Sequence, residues 1–449
     1  MKKMRKLVAL LTAIVMVMAM MTGCKTKSSS NASGGNASTA STPTAAAGKD
    51  ASNSTKDSSS GAPEEVTLWH YFENEATALQ KVVDQYNGMQ NKIHITCTYV
   101  SREELMKQYT IGAVSGELPD IGMVDSPDME SYIALGVFED ITDDLGGWAD
   151  LDKFYPGPLS SCKDNQGRIY GLPNNSNCLA LVCNMDMLKK AGFNAPPTTW
   201  DEFAKVAAAT TNPADSVYGF AMSAVSTEEG TFQYIPWLYS AGANVSDLDS
   251  DNAVKAMTFL SDLVKNGYMS KEVVNWTQGD AYNAFCAGKA AMFETGTWQV
   301  STIDNDVKDK FKYQYAVLPK GEKNATVIGG ENFGVCVGSK AKDACVDFLK
   351  YMQSAQNNAD WCEIAGKQPV RSDAATLKDF WTKDERYKVF TDSLAFAVAR
   401  GPHAEWPTIS EAVYTAMQAS FIGEKTPEQA SKDAAAVVDP IVAKNPIAQ

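Results

Sequence analysis

The chain has 449 residues, and its 40 Lys and Arg against 54 Asp and Glu give a formal net charge of −14. A chain this acidic repels nucleic acid, so nucleic acid is excluded as a partner. Only three His occur, and no Cys or His spacing is typical of a metal site, so we expect neither a metal nor a cofactor.

Residues 1–23 have the pattern of a targeting segment. Four basic residues within the first six precede an apolar run, residues 7–21, which is too short to span a membrane comfortably. The sequence Met21-Thr22-Gly23-Cys24 resembles a bacterial lipobox, and this resemblance implies cleavage before Cys24 and attachment of lipid to it. The alternative is an ordinary signal peptide with a chance cysteine.

Residues 25–62 contain no aromatic residue and no Leu, Ile, Val or Met. Such a stretch cannot bury enough apolar surface to order itself, so we interpret residues 24–62 as a disordered tether after a lipidated cysteine. The remaining residues, from 63 onward, exceed the length at which one core divides. We therefore expect two lobes.

The first elements after the tether predict a parallel sheet with covering helices. A strand at 66–69, a helix at 73–87, a strand at 93–100, a helix at 103–114 and a strand ending at Asp125 follow one another. Ligands of such sheets lie at the carboxyl ends of the strands. The candidates at these ends are Trp69, His70, Glu73 and Asp125.

The stretch from Tyr170 to Gly192 combines a polar turn, a buried strand and a short helix. Residues 173–177 are rich in turn formers, and the apolar run 179–183 favours a strand buried on both faces. Asn184 offers a helix cap, and Gly192 a stop. This pattern is typical of α/β units and by itself indicates no function.

Three later stretches have distinctive motifs. Residues 284–298 predict a helix ending at Gly288, a short strand, and a turn at Gly296 that leads to Trp298. Residues 329–335 run Gly-Gly-Glu-Asn-Phe-Gly-Val, and residues 366–371 run Gly-Lys-Gln-Pro-Val-Arg.

Together with residues 169–192, these stretches resemble motifs of the family 1 extracellular solute-binding proteins, which serve ABC importers, mostly for sugars. The resemblance extends from about residue 66 to residue 438. It implies a two-lobed α/β fold like that of periplasmic binding proteins, each lobe a mainly parallel sheet flanked by helices, joined by crossing hinge segments. It also implies a first lobe of residues 63–174 and 330–368 and a second lobe of residues 175–329 and 369–449.

A sugar-binding cleft needs flat aromatic surfaces and side chains that bond hydroxyl groups. The resemblance places Trp298 at the family's ligand-facing tryptophan. The other candidates for ligand binding are tryptophans in turns or at strand ends, three carboxylates and one arginine: Trp69, Trp237, Trp276, Trp406, Glu73, Asp125, Glu331 and Arg371. Arg371 and Arg400 could instead bridge the lobes.

The expected function is that of a monomeric, lipid-anchored binding protein on the outer face of the cell membrane, without catalytic activity. It would capture a carbohydrate and deliver it to the transmembrane subunits of an ABC permease. One alternative is a binding protein for glycerol phosphate or another small anion, gripped by Arg371, Arg400 and His403. The other is a surface-anchored glycosidase with two of Glu73, Asp125 and Glu331 as acid and base.

Overall fold

The computed structural model describes residues 62–447. The predicted targeting segment, the lipobox with Cys24 and nearly all of the predicted tether therefore lie outside the described residues. Within residues 62–447, no helix is both long enough and apolar enough to cross a membrane.

Strands and helices alternate through most of this range. The strands, in chain order, are β1 (Glu64–His70), β2 (Ile93–Tyr99), β3 (Ile121–Asp125), β4 (Gly171–Pro173), β5 (Leu179–Asn184), β6 (Tyr218–Ala221), β7 (Ala290–Gly296), β8 (Tyr313–Ala316), β9 (Thr326–Ile328), β10 (Glu331–Val335) and β11 (Ala397–Ala399). The helices are α1 (Ala76–Met89), α2 (Arg102–Ser115), α3 (Met129–Ala134), α4 (Pro156–Ser160), α5 (Met185–Lys190), α6 (Trp200–Thr210), α7 (Glu228–Ser240), α8 (Asp251–Lys265), α9 (Gln278–Cys286), α10 (Val300–Val307), α11 (Lys342–Met352), α12 (Ala355–Ala365), α13 (Ser372–Ala375), α14 (Phe380–Lys383), α15 (Glu385–Ser393), α16 (Trp406–Phe421) and α17 (Pro427–Lys444).

The first sheet has five strands in the order β2-β1-β3-β10-β4. Strand β1 runs parallel to β2 and β3, whereas β10 runs antiparallel to β3 and β4. The first residue of β10, Glu331, pairs with the last residue of β3, Asp125. This register places two carboxylates at one edge of the sheet.

The second sheet has four strands in the order β6-β7-β5-β8. All six residues of β5 are buried, which confirms the predicted buried strand at 179–183. The side chain of Asn184 then accepts a hydrogen bond from the amide of Met187, as the predicted helix cap requires. Strand β5 is antiparallel to both β7 and β8, and β6 is parallel to β7.

The predicted two-lobed α/β fold is confirmed, but the prediction of mainly parallel sheets is wrong, since both sheets are mixed. The reason lies in how the strands are reached. Strands β5 and β10 follow crossings from the other sheet, so each starts at the edge where its neighbour ends: Leu179 pairs with Gly296, and Glu331 pairs with Asp125. A strand that starts where its neighbour ends must run antiparallel to it.

Three segments cross between the two sheets and lie side by side. The first contains Ser176 and Asn177, the second contains Gly329, and the third contains Gln368. Ser176 pairs with Gln368, and Asn177 pairs with Gly329, both antiparallel. Gly330 allows this approach: its φ is +152°, and a Cβ there would lie 2.1 Å from the carbonyl oxygen of Asn175. The predicted lobe limits, 63–174 with 330–368 and 175–329 with 369–449, stay a prediction.

Strands β9 and β11 form a small parallel pair. This pair places the segment that leads to Arg400 beside the second crossing. Gly329 lies close by, and a Cβ there would lie 3.2 Å from the guanidinium nitrogen Nη2 of Arg400. A residue late in the chain thus reaches the junction between the sheets.

The eight cysteines in the described range are unpaired, and all except Cys97 are buried. Cys336 and Cys345 are fully buried and pack as small hydrophobic side chains. Burial raises the pKa of the Cys345 thiol to about 12, so it is not a reactive thiolate.

Candidate functional site

Charged side chains from several elements gather where the crossings pass between the sheets. Asp125, at the carboxyl end of β3, is 4% exposed and accepts a hydrogen bond of 2.7 Å from Arg102, the first residue of α2. Arg400 also binds Asp125, with its two terminal nitrogens 2.9 and 2.8 Å from the two carboxylate oxygens. Burial alone raises the pKa of Asp125, but Arg400 and Arg102 together hold it below its usual value.

Arg400 also connects this carboxylate to the second lobe. One of its terminal nitrogens lies 2.6 Å from the carboxylate of Glu228, the first residue of α7. The other oxygen of Glu228 accepts a hydrogen bond of 3.1 Å from the indole Nε1 of Trp406. A single buried guanidinium therefore joins Asp125, on the first sheet, to Glu228, on a helix of the second lobe.

A second ion pair lies on the third crossing. The ammonium of Lys367, a residue that is 3% exposed, lies 3.0 Å from the carboxylate of Glu75. Although burial lowers the pKa of Lys367, the carboxylates of Glu331 and Glu75 together raise it above its usual value. Glu331 in turn accepts a hydrogen bond of 2.6 Å from the amide nitrogen of Asn175, and burial raises the pKa of Glu331.

We name these seven charged residues the inter-lobe charge cluster, together with Asp128, whose carboxylate lies 3.5 Å from the guanidinium of Arg102. Its members are Glu75, Arg102, Asp125, Asp128, Glu228, Glu331, Lys367 and Arg400.

The rings of Trp298 and Phe232 each lie against one cation of this cluster. The ammonium of Lys367 is 4.6 Å from the ring centroid of Trp298, and the guanidinium of Arg400 is 4.4 Å from that of Phe232. The two ring centroids are 6.3 Å apart. Trp298 keeps a partly exposed surface, and its ring packs on Gly296, where a Cβ would lie 1.8 Å from the indole.

Several buried polar atoms around the crossings have no hydrogen-bond partner among the described residues. Such orphaned atoms are rare inside proteins and call for a ligand or water. They are Oη of Tyr71, Oδ1 of Asn175, Oγ1 of Thr295, Oγ1 of Thr297, Nε2 and Oε1 of Gln368, and Nε of Arg400. Donors and acceptors are both present, as a ligand with hydroxyl groups requires.

The structure brings three of the predicted site residues together: Asp125, Glu331 and Trp298 lie within or beside the charge cluster. Trp69 lies at the end of β1, stacked on Tyr109 with 6.4 Å between ring centroids. Glu73 is exposed and pairs with the hydroxyl of Tyr99 at 3.4 Å. Trp276 is partly buried between the two main hydrophobic clusters.

Three other predicted site residues are structural. Trp237 is 1% exposed, packs among aromatic rings, and donates to Glu294 at 2.8 Å. Trp406 is fully buried, and only its Nε1 reaches the cluster, through Glu228. Arg371 is 1% exposed and binds Asp373, Asp150 and the backbone of Gln353. These side chains have no exposed surface for a ligand. The sequence could not show this, because residues at turn positions are found both in cores and in clefts.

The sequence analysis missed five charged residues of the cluster: Glu75, Arg102, Asp128, Glu228 and Lys367. A signal existed for two of them. Arg102 follows the carboxyl end of β2, where ligand residues of such sheets lie, and Lys367 stands in the motif at 366–371. Glu228 carried no signal, because a carboxylate at a helix start is ordinarily explained by the helix dipole.

No group of three or more His, Cys, Asp or Glu side chains within residues 62–447 is arranged to hold a metal ion. Two open cavities, of about 450 and 500 Å³, lie away from the crossings, one beside α5 and the other beside the end of α17. The crossings are therefore the candidate site.

Comparison with known proteins agrees with this geometry. A family model described as bacterial extracellular solute-binding protein matches residues 81–389. A putative binding protein of Brucella abortus is 24% identical over 84% of this chain and 93% of its own length. A lactose-binding protein of Rhizobium radiobacter is 24% identical over 64% of this chain and 69% of its own length.

An sn-glycerol-3-phosphate-binding periplasmic protein of Pectobacterium atrosepticum is 23% identical over 82% of this chain and 88% of its own length. Among solved structures, an ABC transporter solute-binding protein of Thermotoga lettingae bound to α-D-tagatose has a TM-score of 0.78 and 26% identity. That alignment covers 84% of this chain and 100% of the other.

Proposed function

The chain belongs to the family of bacterial extracellular solute-binding proteins, and we propose that it captures a carbohydrate between its two lobes and delivers it to an ABC importer. Relatives named for lactose and a similar structure holding α-D-tagatose support a sugar as the ligand. The length of the saccharide stays open, and an oligosaccharide is our first choice.

The observation that carries this proposal is the surroundings of Trp298. Its indole lies 4.6 Å from the ammonium of Lys367, and the residues next to these two in the sequence, Thr297 and Gln368, have buried hydroxyl and amide groups without partners among the described residues. A sugar offers an apolar C–H face to an aromatic ring and hydroxyl groups to unpaired donors and acceptors. Both requirements are met at one place.

Closure of the lobes has to be favoured by the ligand. A ligand shifts an open–closed equilibrium only by its difference in affinity for the two forms. The cluster draws on both lobes, because Asp125 and Glu228 meet through Arg400, so a ligand bound here contacts side chains that only the closed form assembles.

A small anion is the second candidate, and the glycerol-phosphate-binding relative favours it. The charged residues argue against it. Arg400 already binds two carboxylates, Arg371 is fully engaged outside the cluster, and His403 bonds the backbone of Asn445 and Glu405. An anion would have to displace a carboxylate and face several others.

We also propose attachment to the outer face of the cell membrane through lipid on Cys24, and a role as a monomeric carrier without catalysis. The glycosidase alternative needs two carboxyl groups that act as acid and base. Asp125 is held by two arginines and Glu73 is exposed, so neither forms such a pair with Glu331. The partner for delivery is the permease of the importer.

Thermal denaturation of the purified protein with a panel of monosaccharides, oligosaccharides and glycerol phosphates tests the proposal. A sugar at one hundred times its dissociation constant should raise the free energy of unfolding by about 2.7 kcal/mol. We expect Trp298→Ala to abolish the shift and the exposed Tyr155→Ala to keep it. A panel in which only phosphate esters act would replace the sugar by an anion.

A further inference from the structure

The inter-lobe charge cluster holds more negative than positive groups. The carboxylates of Glu75, Asp125, Asp128, Glu228 and Glu331 face only three cationic side chains, those of Arg102, Lys367 and Arg400. The formal excess is two negative charges in a place where most side chains are nine-tenths buried. Buried charge is costly unless it is paired, so the cluster has either to hold protons on its carboxyl groups or to bind a positive partner.

Asp128 is a weakly compensated member of the cluster. Its single ionic contact is the 3.5 Å distance to Arg102, and its side chain does not cap α3 by a hydrogen bond. The charged and titratable groups that face it are Arg102 on α2, Asp125 on β3, Glu228 on α7, Arg400 beyond β11, Tyr71 beyond β1 and Tyr132 on α3. Burial, and next the charge of Glu228, raise the pKa of Asp128 to about 7.

A metal ion is not the missing partner, since no arrangement of ligating side chains in the described range fits one. The unpaired atoms instead indicate an organic ligand with N–H or O–H donors. Oδ1 of Asn175 is an acceptor without a donor, although the amide nitrogen of the same residue binds Glu331. Oη of Tyr71, which the charges of Glu331 and Asp125 influence, is also unpaired.

We infer that the solute is a saccharide that carries a protonated amino group. Its ammonium supplies the positive charge that the cluster lacks, next to Asp128, and its hydroxyl groups bond the unpaired amide and hydroxyl atoms. The inference rests on the proposed function, because it specifies the chemical class of the sugar at the same site. A neutral sugar would leave the excess of carboxylates unchanged.

Isothermal titration calorimetry of the purified protein with matched pairs tests the inference. D-glucosamine and D-glucose, and D-galactosamine and D-galactose, differ by one amine in place of a hydroxyl group, whereas chitosan trimer and cellotriose differ by one such replacement on each of the three sugar units. For at least one pair we expect the amine to bind tenfold or more tightly than its neutral partner, which corresponds to about 1.4 kcal/mol.

The pH dependence supplies a second readout with a definite sign. An ammonium binds the ionised form of Asp128 and competes with its proton, so affinity for the amine rises with pH. From pH 5.5 to 6.5 the ionised fraction of a group that titrates at about 7 grows about eightfold, and affinity should grow with it. Asp128→Asn should flatten this dependence and reduce the preference for the amine, whereas the exposed Asp309→Asn should change neither.

The outcomes separate this inference from the proposed function. If neutral sugars bind and no amine binds more tightly than its partner, the carbohydrate carrier stands and the inference is overturned. If no saccharide binds but glycerol phosphate does, both are overturned. If the Asp128→Asn variant keeps its melting temperature and still binds the amine more tightly, the ammonium lies elsewhere. That outcome contradicts the role given to Asp128.

Discussion

At the scale of single residues, Glu294 is a carboxyl group in the core. It is 1% exposed, one of its oxygens accepts from the indole of Trp237 at 2.8 Å, and the other has no partner in the described part of the chain. Burial raises the pKa of Glu294 well above its usual value. As pH rises, the unfolded chain therefore releases this proton before the folded protein does.

We expect the stability of the protein to fall as pH rises because of this group. A carboxyl whose pKa is raised on folding contributes stability that is fully present below the pKa of the unfolded chain and is lost as pH rises toward the folded pKa. Glu294→Gln keeps an acceptor for Trp237 without an ionisable proton. Relative to the wild type it should gain up to about 1.4 kcal/mol per pH unit across this window.

Urea denaturation at pH 5, 7 and 9 measures this difference. The exposed Glu363→Gln serves as a control and should show no such trend. Equal slopes of stability against pH for Glu294→Gln and the wild type would show that this carboxyl is ionised in the folded protein.

At the scale of elements, local patterns predicted the strands and the helix starts. The apolar run at 179–183 became β5, and Asn184 caps α5 by accepting from the amide of Met187. The strand directions of β5 and β10 could not be predicted from composition, because they depend on which neighbour each strand meets after a crossing. Strand existence is a local property, whereas pairing direction belongs to the topology.

The same distinction explains the candidate site. Trp298 and Asp125 were predicted, because a motif and a strand end marked them. Trp237 and Arg371 were assigned to the cleft, since a tryptophan or arginine in a loop looks the same whether its neighbours are solvent or core. Only tertiary contacts, such as those of Arg371 with Asp150 and Gln353, decide between the two.

The approach of the crossings predicts the effect of Gly330→Ala. A Cβ at this position would lie 2.1 Å from the carbonyl oxygen of Asn175, and φ is +152°. The substitution should lower the free energy of unfolding by at least about 2 kcal/mol, through backbone strain and overlap. It should also weaken sugar binding, because Asn175 would move away from Glu331.

Gly136→Ala is the matched control. Its φ is also positive, +74°, but a Cβ there has no atom within 4 Å, so it tests the backbone conformation alone. Chemical denaturation of both variants measures the difference. If the two lose the same stability, close contact between the crossings is not what Gly330 provides.

At the scale of the whole molecule, Arg400 links charged groups of the two lobes. It joins Asp125 and Glu228 while being only 4% exposed. Arg400→Met removes this connection and leaves two carboxylates that repel each other. We expect the ligand-free protein to open, with a larger radius of gyration in small-angle X-ray scattering.

Arg386→Met is the control for this experiment, because Arg386 also binds two carboxylates, Asp384 and Asp304, but on the surface. It should leave the radius of gyration unchanged. An Arg400→Met protein with the dimensions of the wild type would show that other contacts keep the lobes together.

The position of β10 has a consequence for the order in which the molecule can be completed. This strand lies between β3 and β4, yet in the sequence it follows every strand of the second sheet. During synthesis from the amino end, the facing edges of β3 and β4 therefore stay uncovered until residue 335 has appeared. Uncovered sheet edges invite pairing with other chains. The first sheet is thus not built from one contiguous segment that truncation could produce, and the nascent protein depends on protection of these edges until its last third arrives.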